Sequence, residues 1–183
     1  MKFNFLTVLL SILSLSSLQT VVAQTTKTED NVTLNVKLSQ IQTLTINEDS
    51  RVVDLEYKTT DDYANGVSVL KANHIQIYST GGFEIKVKSD GPLIGTNDNI
   101  NVSDIKITAA KGTTNSLNPT FFNETPLTVG QGATILTSDL GGVNQTFDIT
   151  YAAAGDNKYV NLYNNGENPT KFTATVTYTI LAH

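Results

Sequence analysis

The chain of 183 residues contains no cysteine and no tryptophan, and its one arginine is Arg51. Without cysteine it forms no disulfide, although small secreted domains usually depend on disulfides. Its stability must therefore come from a hydrophobic core or from a partner. Lysine and arginine number 12 against 17 acidic residues, for a net charge of −5. Because phosphate binding needs concentrated positive charge, we expect no nucleic-acid partner.

The first residues have the pattern of an export signal. Lys2 precedes a mostly apolar run over residues 3–18, and Val21-Val22-Ala23 places small residues before Gln24. We predict a signal peptide over residues 1–23, cleaved after Ala23. The run is short for a membrane span of about 20 residues. No later segment is apolar enough to cross a bilayer, so we expect a secreted protein with no integral membrane segment after signal cleavage.

The composition of the remaining chain favours β-structure. Threonine and asparagine make up about a quarter of all residues. Threonine fits a half-exposed pleated surface, whereas asparagine favours turns. Residues 24–183 have the length of one domain with a sizeable core. We therefore predict a single all-β domain with many loops.

Apolar and polar residues alternate along most of this domain, which predicts about nine short strands in an antiparallel sandwich or barrel. The clearest alternation is NVTLNVKL, residues 31–38, within an N-terminal strand segment that we place at residues 24–46. Its apolar face consists of Val32, Leu34, Val36 and Leu38. Residues 75–77 and 83–87 predict a hairpin across Thr80-Gly81-Gly82. The one helical candidate is a single turn at Asp61-Asp62, capped by aspartate.

No constellation typical of catalysis is present, so we predict a protein that is not an enzyme and needs no cofactor. His74 alternates with Ile75 and Ile77, and we expect a solvent-facing or hydrogen-bonded strand residue. With no cysteine, a zinc site is not expected. The polar stretch Asp98–Asp104 contains oxygen ligands of the kind that calcium prefers, but it lacks the spacing of a calcium loop. We interpret it as a polar turn.

Tyrosines offer one candidate binding surface, because carbohydrate-binding proteins stack sugars on aromatic rings. Tyr151 and Tyr178 lie in register with apolar strand residues and are expected in the core or on a sheet face. Tyr163 stands beside Asn164 and Asn165. These three residues are the candidate glycan contacts.

The order of strands resembles a known family. The segment Glu29–Leu38, followed by Gln42–Ile46, resembles the N-terminal region of alpha-type fimbrial major subunits. The end of the chain, Phe172–Ile180, is similar to the closing strand that those subunits share with WxL-type bacterial surface domains. The chain departs from the WxL pattern because it has no tryptophan. The resemblance covers most of the mature chain and consists of strand pattern and order.

This resemblance implies an immunoglobulin-like β-sandwich that is exported to the bacterial periplasm and then reaches the cell surface. In such fimbriae the N-terminal strand of one subunit completes the sheet of its neighbour, and open head-to-tail contacts of this kind produce fibres. The face formed by Val32, Leu34, Val36 and Leu38 would then be the subunit contact, with self-association or a periplasmic chaperone as partner.

Two functions follow from these observations. The first is a secreted, non-enzymatic structural or adhesive subunit of a bacterial surface fibre or matrix. The alternative is a carbohydrate- or matrix-binding module. The residues themselves leave open whether residues 31–38 close their own domain or that of a neighbour.

Overall fold

The computed structural model describes residues 28–183. The predicted signal peptide and its cleavage point lie outside the described residues. The chain divides into two units, Met1–Lys37 and Leu38–His183. In the first unit, the described residues 28–37 have no regular secondary structure.

The second unit contains one α-helix, two single-turn 3₁₀ helices and eleven strands. The helix α1 spans Thr60–Asn65, and the 3₁₀ turns span Glu48–Ser50 and Val102–Asp104. The strands are β1 (Gln42–Ile46), β2 (Val67–Ser79), β3 (Phe83–Ser89), β4 (Leu93–Ile94), β5 (Asn99–Ile100), β6 (Ile105–Lys111), β7 (Phe121–Phe122), β8 (Glu124–Pro126), β9 (Ala133–Ser138), β10 (Gly142–Ala153) and β11 (Val176–Ala182).

The strands form two main antiparallel sheets. The five-stranded sheet has the order β1-β2-β10-β6-β8, and the four-stranded sheet has the order β11-β3-β9-β7. A separate two-stranded hairpin joins β4 to β5. The predicted all-β antiparallel sandwich is confirmed. It has eleven strands rather than about nine because β4, β5, β7 and β8 are only two or three residues long.

Both sheets contribute to one hydrophobic core. Phe83 of β3 and Phe147 of β10 are fully buried, and their rings meet edge to face with centroids 6.3 Å apart. Such a contact adds about 0.5–1.5 kcal/mol beyond the burial of its area. Because the two rings belong to different sheets, their contact joins the sheets directly.

The predicted hairpin between residues 75–77 and 83–87 is wrong. These residues lie in β2 and β3, which belong to different sheets and do not pair. The connection Thr80–Gly82 crosses from one sheet to the other, and the Thr80 amide donates to the carbonyl of Ile41 before β1. A period of two marks which side of a strand is buried, whether the next strand lies beside it or across the core. The pattern therefore suits both arrangements.

The predicted helical turn at Asp61-Asp62 is confirmed as part of α1, with a different capping residue. Thr59 is the N-cap, and its hydroxyl accepts from the Asp62 amide at 3.2 Å. The Asp62 carboxylate accepts in return from the amides of Lys58 and Thr59, both at 2.8 Å. These hydrogen bonds hold the pKa of Asp62 below its usual value. The arrangement is a capping box, in which Asp62 supports the helix start.

Candidate functional site

The apolar face of residues 31–38 is uncovered. Val32, Leu34, Val36 and Leu38 are 92, 86, 78 and 91% exposed. Within the described chain, residues 28–41 belong to no strand, and residues 32–40 form no backbone hydrogen bond. Four large aliphatic side chains in one short segment are a concentrated apolar surface, which commonly marks a contact with another molecule.

Strand β11 is an open edge of the four-stranded sheet. Among the strands of residues 28–183, it pairs with β3 alone. The Asp90 amide donates to the carbonyl of Thr175, and the His183 amide donates to the carbonyl of Gly82, so the odd-numbered residues from 175 to 183 point their backbone groups at β3. Hydrogen-bonding direction alternates along an antiparallel strand. The backbone N–H and C=O groups of Val176, Tyr178 and Ile180 therefore point to the open side.

The inward side chains along this edge are only half-buried. Val176, Tyr178 and Ile180 pack against the core yet keep part of their surface exposed. In contrast, the equivalent positions of β3, an interior strand of the same sheet, are fully buried. The edge thus combines free backbone groups with incompletely covered apolar side chains, which is a template for another strand.

A second segment that pairs with no described strand, residues 52–57, comes after β1 in the sequence. Strand β1 is the edge strand of the five-stranded sheet, and it contacts β11. From Val52 to Lys58 burial alternates in the manner of a strand, with Val53, Leu55 and Tyr57 packed against the core. Within the described chain, however, residues 52–57 form no backbone hydrogen bond. The segment is held by its side chains, as the hydrogen bond from the Tyr57 hydroxyl to the Ala154 carbonyl at 2.6 Å illustrates.

A chain of hydrogen-bonded side chains crosses the core beneath β11. His74 is 2% exposed, its Nδ1 lies 2.7 Å from the Ser50 hydroxyl, and its Nε2 lies 2.9 Å from the Tyr151 hydroxyl. The Tyr151 and Tyr178 hydroxyls are 2.6 Å apart. Of the two expectations for His74, the hydrogen-bonded strand residue is confirmed and the solvent-facing one is wrong. Tyr151 is buried in the core as expected.

A bulge turns His74 inward. Ile149 pairs with Lys71 and Phe147 with Ile75, so three residues of β2 stand opposite the single residue Asp148. The middle one, Asn73, has a positive φ of 48°, and its amide donates to the Asp148 carboxylate at 2.7 Å. The extra residues break the alternation, so that His74 and its neighbour Ile75 are both buried.

For a neutral His74, one arrangement of protons satisfies every contact among these side chains. The Ser50 hydroxyl donates to the Asn47 carbonyl at 3.0 Å, so Nδ1 of His74 carries the proton and donates to Ser50. Nε2 of His74 then accepts from Tyr151, and Tyr151 accepts from Tyr178. The histidine is neutral in this arrangement. Burial, together with the charge of Lys71, lowers the pKa of His74, and burial raises the pKa of Tyr151 to about 12.

The candidate glycan residues lie in a surface cleft that sequence reasoning did not anticipate. Tyr163, Asn164 and Asn165 line one side of it, and Thr96–Asp98 line the other. The Asp98–Asp104 stretch does not act as a unit, since Asp104 pairs with Lys158. Within residues 28–183, no three His, Cys, Asp or Glu side chains cluster closely enough to hold a metal ion.

Comparison of the sequence with protein-family models and with curated proteins finds no match. Within the described part of the chain, no helix has both the length and the apolar character needed to cross a membrane.

Sequence reasoning singled out residues 31–38 but expected a strand there, and it missed the surface with free strand-pairing groups. Alternation in Val176–Ala182 predicts a strand without showing that it stands at an edge.

Proposed function

We propose that this protein is an exported structural subunit of a bacterial surface fibre, assembled by strand donation between identical copies. Residues 31–38 of one copy would add to the open side of β11 in the next. The observation that carries the proposal is the open edge at β11, which has unpaired backbone groups and half-buried apolar side chains. The same chain also has an exposed apolar face at residues 32–38.

The two segments match in length and chemistry. The span from Val32 to Leu38 is seven residues, as is β11. In strand addition, main-chain hydrogen bonds provide affinity while alternate side chains enter pockets. Four aliphatic side chains buried in this way contribute about 1.5–3 kcal/mol each before the cost of ordering the segment. The absence of cysteine suits an assembly that depends on such contacts.

The geometry of this contact leads to a fibre. The donating and accepting surfaces are different parts of the chain, so each added copy presents a new free donor and the contact does not close on itself. A periplasmic chaperone would serve in the same scheme by covering the edge before assembly, because exposed edge strands tend to pair non-specifically.

A pair of variants of the mature chain, beginning at Gln24, tests the donor segment. Leu34→Asp places a charge on the apolar face, and Asn35→Asp places the same charge on the polar face. We expect the parent chain and Asn35→Asp to form oligomers in size-exclusion chromatography and Leu34→Asp to stay monomeric. The proposal is wrong if the parent chain is monomeric at every concentration and the peptide described next does not raise Tm.

A peptide tests the accepting edge separately. A synthetic peptide of residues 29–39 is added to the Leu34→Asp chain, which keeps an intact β11. Because a ligand that binds only the folded state stabilises it, the peptide is expected to raise Tm with increasing concentration. A peptide carrying Val36→Asp is the control and should have no effect. Equal shifts with the two peptides, or no shift with either, would contradict strand addition.

A further inference from the structure

The cleft at the loops has walls that are distant in sequence. It encloses about 260 Å³ and is lined by residues 96–98 and 161–165, together with Thr170 and Phe172. All three candidate glycan residues and Asp98, the first acidic residue of the polar turn, thus meet in one place. Its volume is below the range of about 300–1,000 Å³ that is usual for drug-sized ligands, so it suits a small one.

The first wall is held rigidly by backbone contacts. The Gly95 amide donates to the Asp98 carbonyl at 2.9 Å, which closes the turn between β4 and β5. Ile94 and Thr173 exchange two backbone hydrogen bonds at 2.9 and 3.0 Å. The ring of Phe172 lies directly on Gly95, where an added Cβ would come within 2.5 Å of it. The turn therefore keeps its place relative to Phe172.

The second wall is organised by Asn164. Its side-chain oxygen accepts from the backbone N–H of Gly166 at 3.1 Å. The backbone N–H of Asn164 donates to the Thr170 hydroxyl at 2.8 Å. The Thr96 hydroxyl donates to the Glu167 carboxylate and so links the two walls. Asn164, a candidate glycan contact, thus uses its oxygen to shape the loop. The cleft is preorganised before any ligand arrives.

Other polar groups in the cleft have unused hydrogen-bonding capacity. Within the described chain, the side chains of Asn97, Asp98, Asn161 and Asn165 form no hydrogen bond with other residues. Amides both donate and accept, and a carboxylate accepts through two oxygens. Tyr163, a residue that is 53% exposed, adds an aromatic ring. A concave surface that combines hydrogen-bonding side chains with an aromatic ring matches a ligand that has many hydroxyls and an apolar ring face.

We infer that this cleft binds a saccharide of one or two rings. Asp98, Asn97 and Asn165 hydrogen-bond its hydroxyls, and the C–H face of a sugar ring packs on Tyr163, which offers an apolar surface with little conformational freedom to lose. Asn164 acts as a positioning residue. The inference is independent of fibre assembly, because none of these residues belongs to residues 31–38 or to β11.

Saturation-transfer NMR on the mature chain tests the inference, with mannose, galactose, N-acetylglucosamine and lactose as probes in buffer with and without EDTA. At least one probe should show transfer. Its affinity should fall at least about tenfold in Tyr163→Ala and in Asp98→Asn, while Tyr163→Phe, which keeps the ring, and Tyr78→Phe, outside the cleft, should retain it. Thermal melts confirm that each variant is folded.

Three outcomes overturn the inference. The first is no transfer from any probe. The second is transfer that is unchanged in Tyr163→Ala and Asp98→Asn. The third is binding that EDTA abolishes, since direct recognition by these side chains requires no metal.

Discussion

The hydrogen-bonded chain through His74 predicts that two tyrosines joined to each other contribute unequally to stability. Tyr151 stands in the middle of the chain and Tyr178 at its end. Tyr151→Phe removes the donor to Nε2 of His74 and also the acceptor for Tyr178. Tyr178→Phe removes one hydrogen bond only, because Tyr151 still donates to His74.

The magnitudes follow from burial. A buried polar group left without a partner costs about 1–3 kcal/mol, and His74 is 2% exposed. Burial also raises the pKa of Tyr178 well above its usual value, so its hydroxyl is shielded from water and, when orphaned, adds to this cost. We expect Tyr151→Phe to lower the free energy of unfolding by about 2–4 kcal/mol. Tyr178→Phe should lower it by about 0.5–1.5 kcal/mol, the net value of one hydrogen bond.

The assay is urea unfolding at pH 7.5, followed by far-UV circular dichroism because the chain has no tryptophan. Tyr78→Phe is the control, since within the described chain the Tyr78 hydroxyl forms no hydrogen bond, and a change within about 0.5 kcal/mol is expected. The double variant of Tyr151 and Tyr178 should cost less than the sum of the single variants. If Tyr178→Phe costs as much stability as Tyr151→Phe, the proposed direction of hydrogen-bond donation from Tyr178 through Tyr151 to His74 is wrong.

Three further predictions concern stability. Because the fold lowers the pKa of His74, the unfolded chain binds a proton at a higher pH than the folded chain does. Tm should therefore fall as pH drops below about 6.5. An equally steep fall of Tm with pH in His74→Gln would contradict this. Phe147→Ala empties a fully buried site and should cost about 3–5 kcal/mol in urea unfolding, whereas a cost under about 1 kcal/mol would mean that the core is wrongly assigned. Gly66 has φ +82°, and an added Cβ would lie 2.4 Å from a backbone oxygen. Gly66→Ala should therefore lower the free energy of unfolding by more than about 1 kcal/mol. Gly81 has open space around it, so Gly81→Ala should leave Tm nearly unchanged.

Much of the fold could be read from local patterns. Alternation identified the buried positions of β2, β3 and β10 because side chains in a strand point to opposite faces in turn. The turn at Asp61-Asp62 was visible because capping is a local interaction, although the capping residue is Thr59 rather than the predicted aspartate. The apolar face at Val32–Leu38 was likewise visible in the sequence as a regular alternation, which left open whether its own domain covers it.

The sequence by itself determined the class of the protein: an all-β chain without disulfides, with its inward-facing residues marked by a period of two. Only the tertiary structure decided which strands are neighbours, and hence that β2 and β3 lie in different sheets and that β11 has a free side. It also decided that a bulge at Asn73 buries His74 and that Asp98 and Tyr163 share a cleft. The physical reason is that alternation records which face of a strand is buried, whereas pairing, register and the meeting of distant loops depend on contacts between residues far apart in the chain.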